Sequence, residues 1–334
     1  MDLAVIWFIL VAVLFVGFFF LEGFDFGVGV LLLFLGKKDD ERRVIINSIG
    51  PFWDGNEVWL ITAGGAIFAA FPIWYATMFS GFYLALLVIL AALILRGVFF
   101  EFRSKNESKT WRRNWDIIMF ICSSLLAVLW GVALANLIKG VPIDNTMNYT
   151  GGFFDLISIY TIFAGITALF AFLFHGAIFL NLKSDDVIRQ RALNAAKKLG
   201  VYSLAAGVIL VVLTYFQTNL YNSIPALAAS ILAVIMGAMS WYLITKDDAK
   251  KAMFTNGISI ALAVASLFLG LFPRVMVSSI KPEFSLTIYN AASSSYTLSL
   301  MTKVALVFVP IVLGYQIWSY WVFRKRVTVK DVEY

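Results

Sequence analysis

The dominant feature of this 334-residue sequence is a series of long apolar stretches. About 20 residues with a rise of 1.5 Å each cross a hydrocarbon core of roughly 30 Å, so a stretch of that length predicts a membrane-spanning helix. Nine stretches qualify, at positions 3–35, 52–71, 77–102, 116–138, 153–182, 199–216, 224–244, 256–272 and 300–323. Only 14% of the residues are charged, against about a quarter in soluble domains. The sequence therefore predicts an all-α integral membrane protein with nine transmembrane helices.

The positive charges alternate between the predicted loops. The connections after the first, third, fifth and seventh spans and the C-terminal segment hold 21 of the 26 Lys and Arg residues, whereas the N-terminus and the other connections hold 3. Short cytoplasmic loops collect positive charge, so we expect the N-terminus outside and the C-terminus in the cytoplasm. Because the basic residues form five separate loop clusters, a nucleic-acid groove is not indicated. The first span lacks preceding basic residues and exceeds a signal-peptide core, so we expect it in the mature protein.

A weak internal repeat relates the first and fifth spans. The first ends in FDFGVGVLLLFLGKKDD and the fifth in FLFHGAIFLNLKSDD, and each leads into a basic segment. Such repeats are common in membrane proteins built from duplicated bundles. We therefore expect two four-helix units, at 1–140 and 150–275, and a ninth, peripheral helix at 299–323.

Five acidic residues lie inside or at the ends of predicted spans. They are Glu22, Asp25, Asp54, Glu57 and Glu101. Ionisable side chains are costly in hydrocarbon, so each one indicates a partner or a water-filled path. Glu22 and Asp25 are three residues apart, as are Asp54 and Glu57, so each pair is expected on one helix face. Glycines around Asp25 predict that another helix approaches closely there.

Two interpretations of these acids remain open at this point. They can form an inlet for protons or cations on the cytoplasmic side, or they can pair with Arg96 and Lys303 to fasten helices together. Glu101 stands four residues before Lys105, the favourable order for an ion pair on a helix. The aromatic residues Trp318, Tyr320 and Trp321 are expected to anchor the inner end of the last span at the membrane interface.

The single cysteine and the single histidine limit the chemistry of the chain. One cysteine, Cys122, excludes an intrachain disulfide and a cysteine-held zinc or iron–sulfur site. His175 lies in an apolar stretch, where a hydrogen-bonded interior histidine is expected more often than a haem or metal ligand. Both interpretations of His175 stay open. The sequence contains no nucleotide-binding loop and no GxSxG nucleophile motif.

The first third of the sequence resembles subunit II of the cytochrome bd-type quinol oxidases. The resemblance rests on LEGFDFGVGVLLLFLG, on the run from GPFWDGNEVW to AGGAIFAAFP, and on RGVFFEFRSK. It implies a heterodimer in the bacterial plasma membrane that oxidises quinol and reduces dioxygen to water. It also implies that haem b and haem d are held by the partner, subunit I, with no cofactor bound by this chain alone. A small single-helix subunit is compatible with the resemblance.

Several residues acquire roles by this resemblance. Asp54, Glu101 and Lys105 resemble members of a proton line that runs from the cytoplasm toward the haems, and Asp25 is a further candidate. Glu57 joins them as an acid of the same predicted cluster. Trp59 resembles a residue near an oxygen route in some members of the family. No residue of this chain is expected to be catalytic or to bind a metal.

Two other functions are compatible with the same residues. An ion-coupled secondary transporter also needs intramembrane acids and repeated units, but its broken helices would require interruptions such as Pro310 in several spans. A purely structural subunit would stabilise the haem-bearing partner without moving protons. Acid-to-amide substitutions that spare turnover would favour the structural subunit.

Overall fold

The computed structural model describes residues 2–328, which are mostly helical. A backbone in hydrocarbon must satisfy its own hydrogen bonds, and long helices follow from the long apolar stretches for that reason. The elements, in chain order, are α1 (Leu3–Leu35), α2 (Asp39–Ile49), α3 (Trp53–Ala70), α4 (Pro72–Gly81), α5 (Tyr83–Phe102), α6 (Lys109–Lys139), α7 (Ile159–Lys183), α8 (Asp186–Gln217), α9 (Ile224–Thr245), α10 (Ala249–Leu271), β1 (Arg274–Met276), β2 (Leu286–Thr287) and α11 (Ser295–Val322).

Eight of the helices described between residues 2 and 328 are long and apolar enough to cross a membrane. They are α1 and α5 through α11, and they confirm a multi-pass, all-helical membrane protein. The predicted second span corresponds to α3, which has 18 residues and does not belong to the eight. Asp54, Asn56 and Glu57 occupy its first two turns and lower the hydropathy of this short helix.

The predicted third span, 77–102, is divided between two helices. Pro72 occupies the first turn of α4, where its missing N–H costs no helical hydrogen bond. The ten-residue α4 ends at Gly81, and α5 then begins at Tyr83. The span boundary predicted at position 77 is therefore wrong, and the membrane-crossing helix is the 20-residue α5.

The sequence prediction also missed α2, an 11-residue helix between the first two predicted spans. Its first turn is acidic, which suits the positive end of the helix dipole. Val44, Ile45 and Ile49 lie on its buried face and pack against the helices around them. An amphipathic helix of this length is too short to cross the membrane, and its low hydropathy hides it in a search for spans.

Helix α1 lies at the centre of the molecule and packs against α3, α6, α7 and α10. Its contact with α7 is a backbone contact, because a Cβ atom built on Gly27 would lie 1.9 Å from the carbonyl oxygen of Phe172. A Cβ atom on Gly176 of α7 would lie 2.6 Å from the carbonyl carbon of Gly27. The predicted close approach of another helix near Asp25 is thus confirmed. Helices α7 with α8 and α9 with α10 form the most extensive remaining pairs.

Helix α11 lies at the edge of the helical bundle, with most of its surface exposed. At one end, the Trp7 indole Nε1 donates to the Leu298 carbonyl at 3.3 Å and to Thr302 Oγ1 at 3.1 Å. At the other end, the Lys183 ammonium group donates to the carbonyl oxygens of Phe323 and Lys325. The segment that precedes α11 contains the antiparallel pair β1 and β2, with Arg274 opposite Thr287 and Met276 opposite Leu286.

Candidate functional site

The most unusual feature of the interior is a pair of fully buried acids on α1. Glu22 and Asp25 are both 0% exposed and lie one helical turn apart. At 1.5 Å per residue, they lie about 15–20 Å along the axis from the Leu35 end of α1, far from either end of the helix. Carboxyl groups are almost never buried to this extent unless they are paired, so their neighbours decide what they can do.

Among the residues that the structure describes, one arginine forms an ion pair with an acid of this pair. Arg96 of α5 is also 0% exposed and forms an ion pair with Glu22. Its Nη1 atom lies 3.7 Å from Oε2 of Glu57, which belongs to α3, and its guanidinium carbon lies 4.9 Å from the ring centroid of Phe26. We call Glu22, Asp25, Glu57 and Arg96 the buried acid cluster. The cluster contains three carboxyl groups and one guanidinium group, so it cannot be neutral with every acid ionised.

Several polar atoms of this cluster have no hydrogen-bond partner among the described protein atoms. They include Asp25 Oδ1, Glu22 Oε2, Arg96 Nε and Arg96 Nη2. Buried polar atoms in native proteins nearly always find a partner, either in the protein or in an ordered water molecule. The cluster is therefore a polar region that protein contacts alone leave incompletely satisfied.

Asn56 of α3 supplies the main hydrogen bond to Asp25. Its Nδ2 atom donates to Asp25 Oδ2 at 2.7 Å and to the Leu21 carbonyl at 3.3 Å. On the other side of the amide, the Tyr320 hydroxyl of α11 donates to Asn56 Oδ1 at 2.8 Å. The sequence prediction missed Asn56 and misassigned Tyr320 as only an interfacial anchor. The signal was available, since Asn56 is a polar residue between two acids of a predicted span.

Asp54 and Glu57 do not behave as the matched pair that their spacing predicts. Glu57 is partly buried, with 17% of its side chain exposed, and reaches Arg96. Asp54 is exposed at the start of α3 and has no ion pair with any residue in the described part of the chain. The structure thus brings Glu22, Asp25 and Glu57 together and leaves Asp54 on the surface of α3.

The predicted ion pair between Glu101 and Lys105 is wrong. Helix α5 ends at Phe102, and residues Arg103–Lys105 form a 3₁₀ turn, so the helical spacing of four residues is lost. Both side chains are exposed, and neither forms an ion pair within residues 2–328. Lys303, the second cation considered as a partner for the acids, is also exposed and pairs with none of the described acids. Of the two expected cations, only Arg96 meets the acids.

Trp59 and His175 are both held by hydrogen bonds. The Trp59 indole Nε1 donates to Gln316 Oε1 of α11 at 2.8 Å, beside the acid cluster. His175 is fully buried, with Nε2 2.8 Å from the Phe20 carbonyl and Nδ1 2.9 Å from Asn256 Nδ2. The carbonyl can only accept and the amide nitrogen can only donate, so His175 is neutral with its proton on Nε2. With both nitrogens bonded, His175 does not fit an axial haem ligand.

A second group of charges lies around α2, outside the apolar core. We call Asp39, Arg42, Arg43, Arg103, Arg112 and Asp116 the α2 charge cluster. Arg103 joins both acids, with contacts of 2.6 Å to Asp116 Oδ1 and 2.8 Å to Asp39 Oδ1. Arg42 contacts Asp116 Oδ2 at 2.8 Å. Partial burial alone would raise the pKa of Asp39, but the hydrogen bonds and charges of the surrounding arginines outweigh it and hold that pKa below its usual value.

The described residues bring no three His, Cys, Asp or Glu side chains together in an arrangement that could hold a metal ion. Combined with the bonded state of His175, the arrangement suits proton exchange among carboxyl groups better than metal or haem ligation. A buried carboxyl group next to both a cation and other acids can bind and release protons, because the ionised and neutral forms are both partly compensated.

Comparisons with known proteins give the family. Residues 3–323 match the family model of the cytochrome bd terminal oxidase subunit II. The chain is 45% identical over 331 residues to cytochrome bd ubiquinol oxidase subunit 2 of Bacillus subtilis (strain 168), covering 98% of this chain and 97% of that protein. It is 37% identical over 363 residues to cytochrome bd-I ubiquinol oxidase subunit 2 of Escherichia coli (strain K12), covering 98% and 96%.

The fold has a solved counterpart. A chain of the bd oxidase from Geobacillus thermodenitrificans superimposes with a TM-score of 0.78 at 15% sequence identity, covering 96% of this chain and 98% of that chain. The likeness of fold and the identity to the curated relatives agree with the resemblance seen in the sequence motifs. This chain belongs to the cytochrome bd terminal oxidase subunit II family.

Proposed function

We propose that this chain is the non-haem subunit of a bd-type quinol oxidase, and that it conducts protons from the cytoplasm to the oxygen-reducing site of its partner and stabilises that partner. Family membership makes it part of an oxidoreductase complex in the bacterial plasma membrane and implies a haem-bearing subunit I. The observation that carries the proton role is the buried acid cluster, in which Arg96 pairs with Glu22 and Glu57 and a third carboxyl group, Asp25, is bonded to Asn56. Family membership also favours this function over an ion-coupled transporter.

The chemistry of the complex explains why protons must enter. Reducing one dioxygen molecule to two water molecules consumes four electrons and four protons, and two quinol molecules supply the four electrons. If the protons consumed come from the cytoplasm while quinol releases its own outside, charge is separated across the membrane. The proton path needs groups that exchange protons in an apolar surrounding, and carboxyl groups near a cation serve this purpose.

The proposed path begins at the end of α5. Glu101 and Lys105 are exposed there, and Glu101 lies about 8 Å along the helix axis from Arg96. From this mouth, Glu57 leads to Arg96, and the α1 acids Glu22 and Asp25 form the deepest part of the cluster. Polar atoms without protein partners at these positions support water molecules between the carboxyl groups. The path therefore combines exposed acids at its mouth with buried acids inside the membrane.

The exposed face of α3 supports a docking surface for subunit I. Asp54 and Gly55 lie on this face, and a Cβ atom built on Gly55, Gly64 or Gly65 would meet no described atom within 4 Å. A carboxyl group that faces lipid is unfavourable, so a protein partner covers this face more favourably than lipid does. The small residues allow a helix of the partner to approach closely. Asp54 is then the acid that faces the partner.

The topology completes the proposal. Subunit I covers the exposed face of α3, and with that partner in place α3 counts as the ninth membrane span. The 21-to-3 distribution of basic residues supports an outer N-terminus and a cytoplasmic C-terminus. We assign 1–140 and 150–275 to two four-helix units and 299–323 to a peripheral helix.

The cofactors and the oxygen route follow from the same proposal. Haem b and haem d belong to subunit I, and quinol is the substrate of the complex. Trp59 lines a candidate oxygen route. Lipid-facing helices leave space for a small single-helix subunit.

Substitution of the acids by amides in the purified complex tests the proton role. We expect Asp25→Asn and Asp54→Asn to lower the rate of quinol-driven oxygen consumption by at least about tenfold, since a proton-transfer group contributes on this scale. The haem absorption spectrum should stay unchanged. Asp40→Asn is the matched control, because Asp40 is exposed and forms no ion pair with a described residue.

Two results separate the possible outcomes of this experiment. If both variants keep their turnover in a complex with full haem content, the result contradicts proton conduction and favours a purely structural role for this subunit. Loss of haem together with turnover in Asp25→Asn assigns that residue to assembly, and the rate of Asp54→Asn then decides the proton role.

A further inference from the structure

Helix α11 reaches the acid cluster although most of its own surface is exposed. The Tyr320 hydroxyl donates to Asn56 Oδ1 at 2.8 Å, and Gln316 Nε2 lies 3.5 Å from the same oxygen. Asn56 in turn donates to Asp25 at 2.7 Å. A continuous chain of hydrogen bonds thus joins α11, through α3, to the buried carboxyl group of α1.

The partners of Asn56 determine how its amide group is oriented. The Leu21 carbonyl and the Asp25 carboxylate accept hydrogen bonds, so both face the Nδ2 side. The opposite side, Oδ1, receives the Tyr320 hydroxyl. Asn56 is 0% exposed, and a buried amide oxygen without a donor is unfavourable. Tyr320 is the short contact that satisfies this oxygen and holds the amide group in place.

Tyr320 is itself held firmly. Its ring stacks on the ring of Phe52, with centroids 4.4 Å apart and an interplanar angle of 14°. The Lys183 ammonium group lies 5.2 Å from the centroid of Phe52 and donates to the carbonyls at the end of α11. The stacking on Phe52 therefore fixes the position of the Tyr320 hydroxyl next to Asn56.

We infer that Tyr320 is a positioning residue that acts through Asn56 to hold the donor against Asp25, so that the acid cluster is complete only when α11 is in place. Tyr320 acts through Asn56, so its role is one of positioning rather than of catalysis. The inference deepens the proposed function and rests on it only for the effect on turnover. The geometric part, the coupling of Tyr320 to the Asp25 carboxyl group, can be measured by itself.

The test is infrared difference spectroscopy on the purified complex. The carboxyl band of Asp25 is identified by its loss in Asp25→Asn. We expect this band to shift in Tyr320→Phe, which keeps the stacked ring and removes only the hydroxyl, and to shift in Asn56→Ala. In the double variant, the Tyr320 change should add no further shift, because its action passes through Asn56. Turnover of Tyr320→Phe should fall about fivefold, the scale of one lost hydrogen bond.

Tyr315→Phe is the matched control, because Tyr315 is an exposed tyrosine of the same helix whose hydroxyl has no hydrogen bond to a described residue. An unshifted Asp25 band in Tyr320→Phe overturns the inference, as does a full additional shift in the double variant. Failure of Tyr320→Phe to assemble, with normal assembly of Tyr315→Phe, overturns it in favour of a purely structural tyrosine. A shifted band combined with normal turnover of Asp25→Asn would instead refute the proton role and leave the positioning intact.

Discussion

Two clusters of charge in this protein are built in opposite ways. In the α2 charge cluster, two acids are surrounded by four arginines, and all four carboxylate oxygens of Asp39 and Asp116 have a cation within 3.3 Å. In the buried acid cluster, there are three acids and one arginine, which pairs with Glu22 and Glu57, and several polar atoms have no described hydrogen-bond partner. In the first cluster the cations outnumber the anions and every carboxylate oxygen is paired, although Arg103 Nη1 has no described partner. In the second cluster the anions outnumber the cations, and carboxylate oxygens of Glu22 and Asp25 have no described hydrogen-bond partner.

The difference indicates which charges serve structure and which serve chemistry. Carboxylates that are all paired with nearby cations stay ionised and resist taking up protons, because the cations stabilise the charged form. A network short of cations can gain or lose a proton at modest cost, since no single arrangement satisfies all of its members. Burial by itself does not distinguish the two, because Asp116 is as completely buried as Glu22. The ratio of acids to cations distinguishes the two clusters.

The largest expected effect concerns the structural cluster. Asp116→Asn removes the charge that compensates two arginines, of which Arg103 is 2% exposed. Breaking one partner of a buried ion pair costs about 3–5 kcal/mol, so we expect a large drop in the thermal unfolding temperature of the complex. Turnover per intact complex, normalised to haem, should stay near that of the unchanged protein. An unfolding temperature within error of the unchanged protein would remove the contrast between the clusters.

The next effect concerns the cation of the buried acid cluster. Arg96→Gln leaves Glu22, Asp25 and Glu57 without a positive charge, so these acids should hold protons rather than pass them on. We expect quinol-driven oxygen consumption to fall about a hundredfold, the scale of lost acid–base function. Arg112→Gln, which removes an arginine from the α2 charge cluster, is the control, and its turnover should be unchanged. Equal losses of turnover in both variants would contradict the division of roles.

A smaller effect should distinguish the interior of the path from its mouth. Glu57 touches Arg96, whereas Glu101 and Lys105 are exposed and water can substitute for them. We expect about a tenfold loss of turnover in Glu57→Gln and about a twofold loss in Glu101→Gln or Lys105→Gln. Oxygen-electrode rates of the three purified complexes give the comparison. A larger loss in Glu101→Gln than in Glu57→Gln would place the controlling step at the mouth.

The sequence predicted the charged residues of the site better than the hydrogen bonds that join them. Glu22, Asp25 and Arg96 could be recognised because charged residues inside apolar stretches are rare for a clear physical reason. Apolar length also located most spans. In contrast, the bond between Asn56 and Asp25 joins residues 31 positions apart, and that between Tyr320 and Asn56 joins residues 264 apart. No local pattern encodes such contacts.

The wrong predictions have local causes that hydropathy does not register. The Glu101–Lys105 pair assumed that α5 continues, but the chain tightens into a 3₁₀ turn at Arg103, whose side chain is drawn to Asp116 at 2.6 Å. Helix α2 was missed because its apolar residues cover only one face. In both places the segment contributes residues to the α2 charge cluster, and these contacts are not encoded in hydropathy.

The smallest expected effect is a pH dependence of stability that arises in the α2 charge cluster. The pKa of Asp39 is below its usual value in the folded protein, because the arginine contacts outweigh partial burial. A lowered folded-state pKa means that this stabilisation is complete above the unfolded pKa of about 3.9 and is lost as the pH falls through the folded value. We expect the unfolding temperature of the complex to fall below about pH 4, and Asp39→Asn to flatten part of that fall. Asp40 is one residue away and exposed, so Asp40→Asn should leave the fall of the unfolding temperature in acid unchanged. If both variants reduce the fall of the unfolding temperature in acid equally, general charge repulsion accounts for that fall, and the arginine contacts of Asp39 do not. The stability that the α2 charge cluster contributes would then not depend on the ionisation of Asp39.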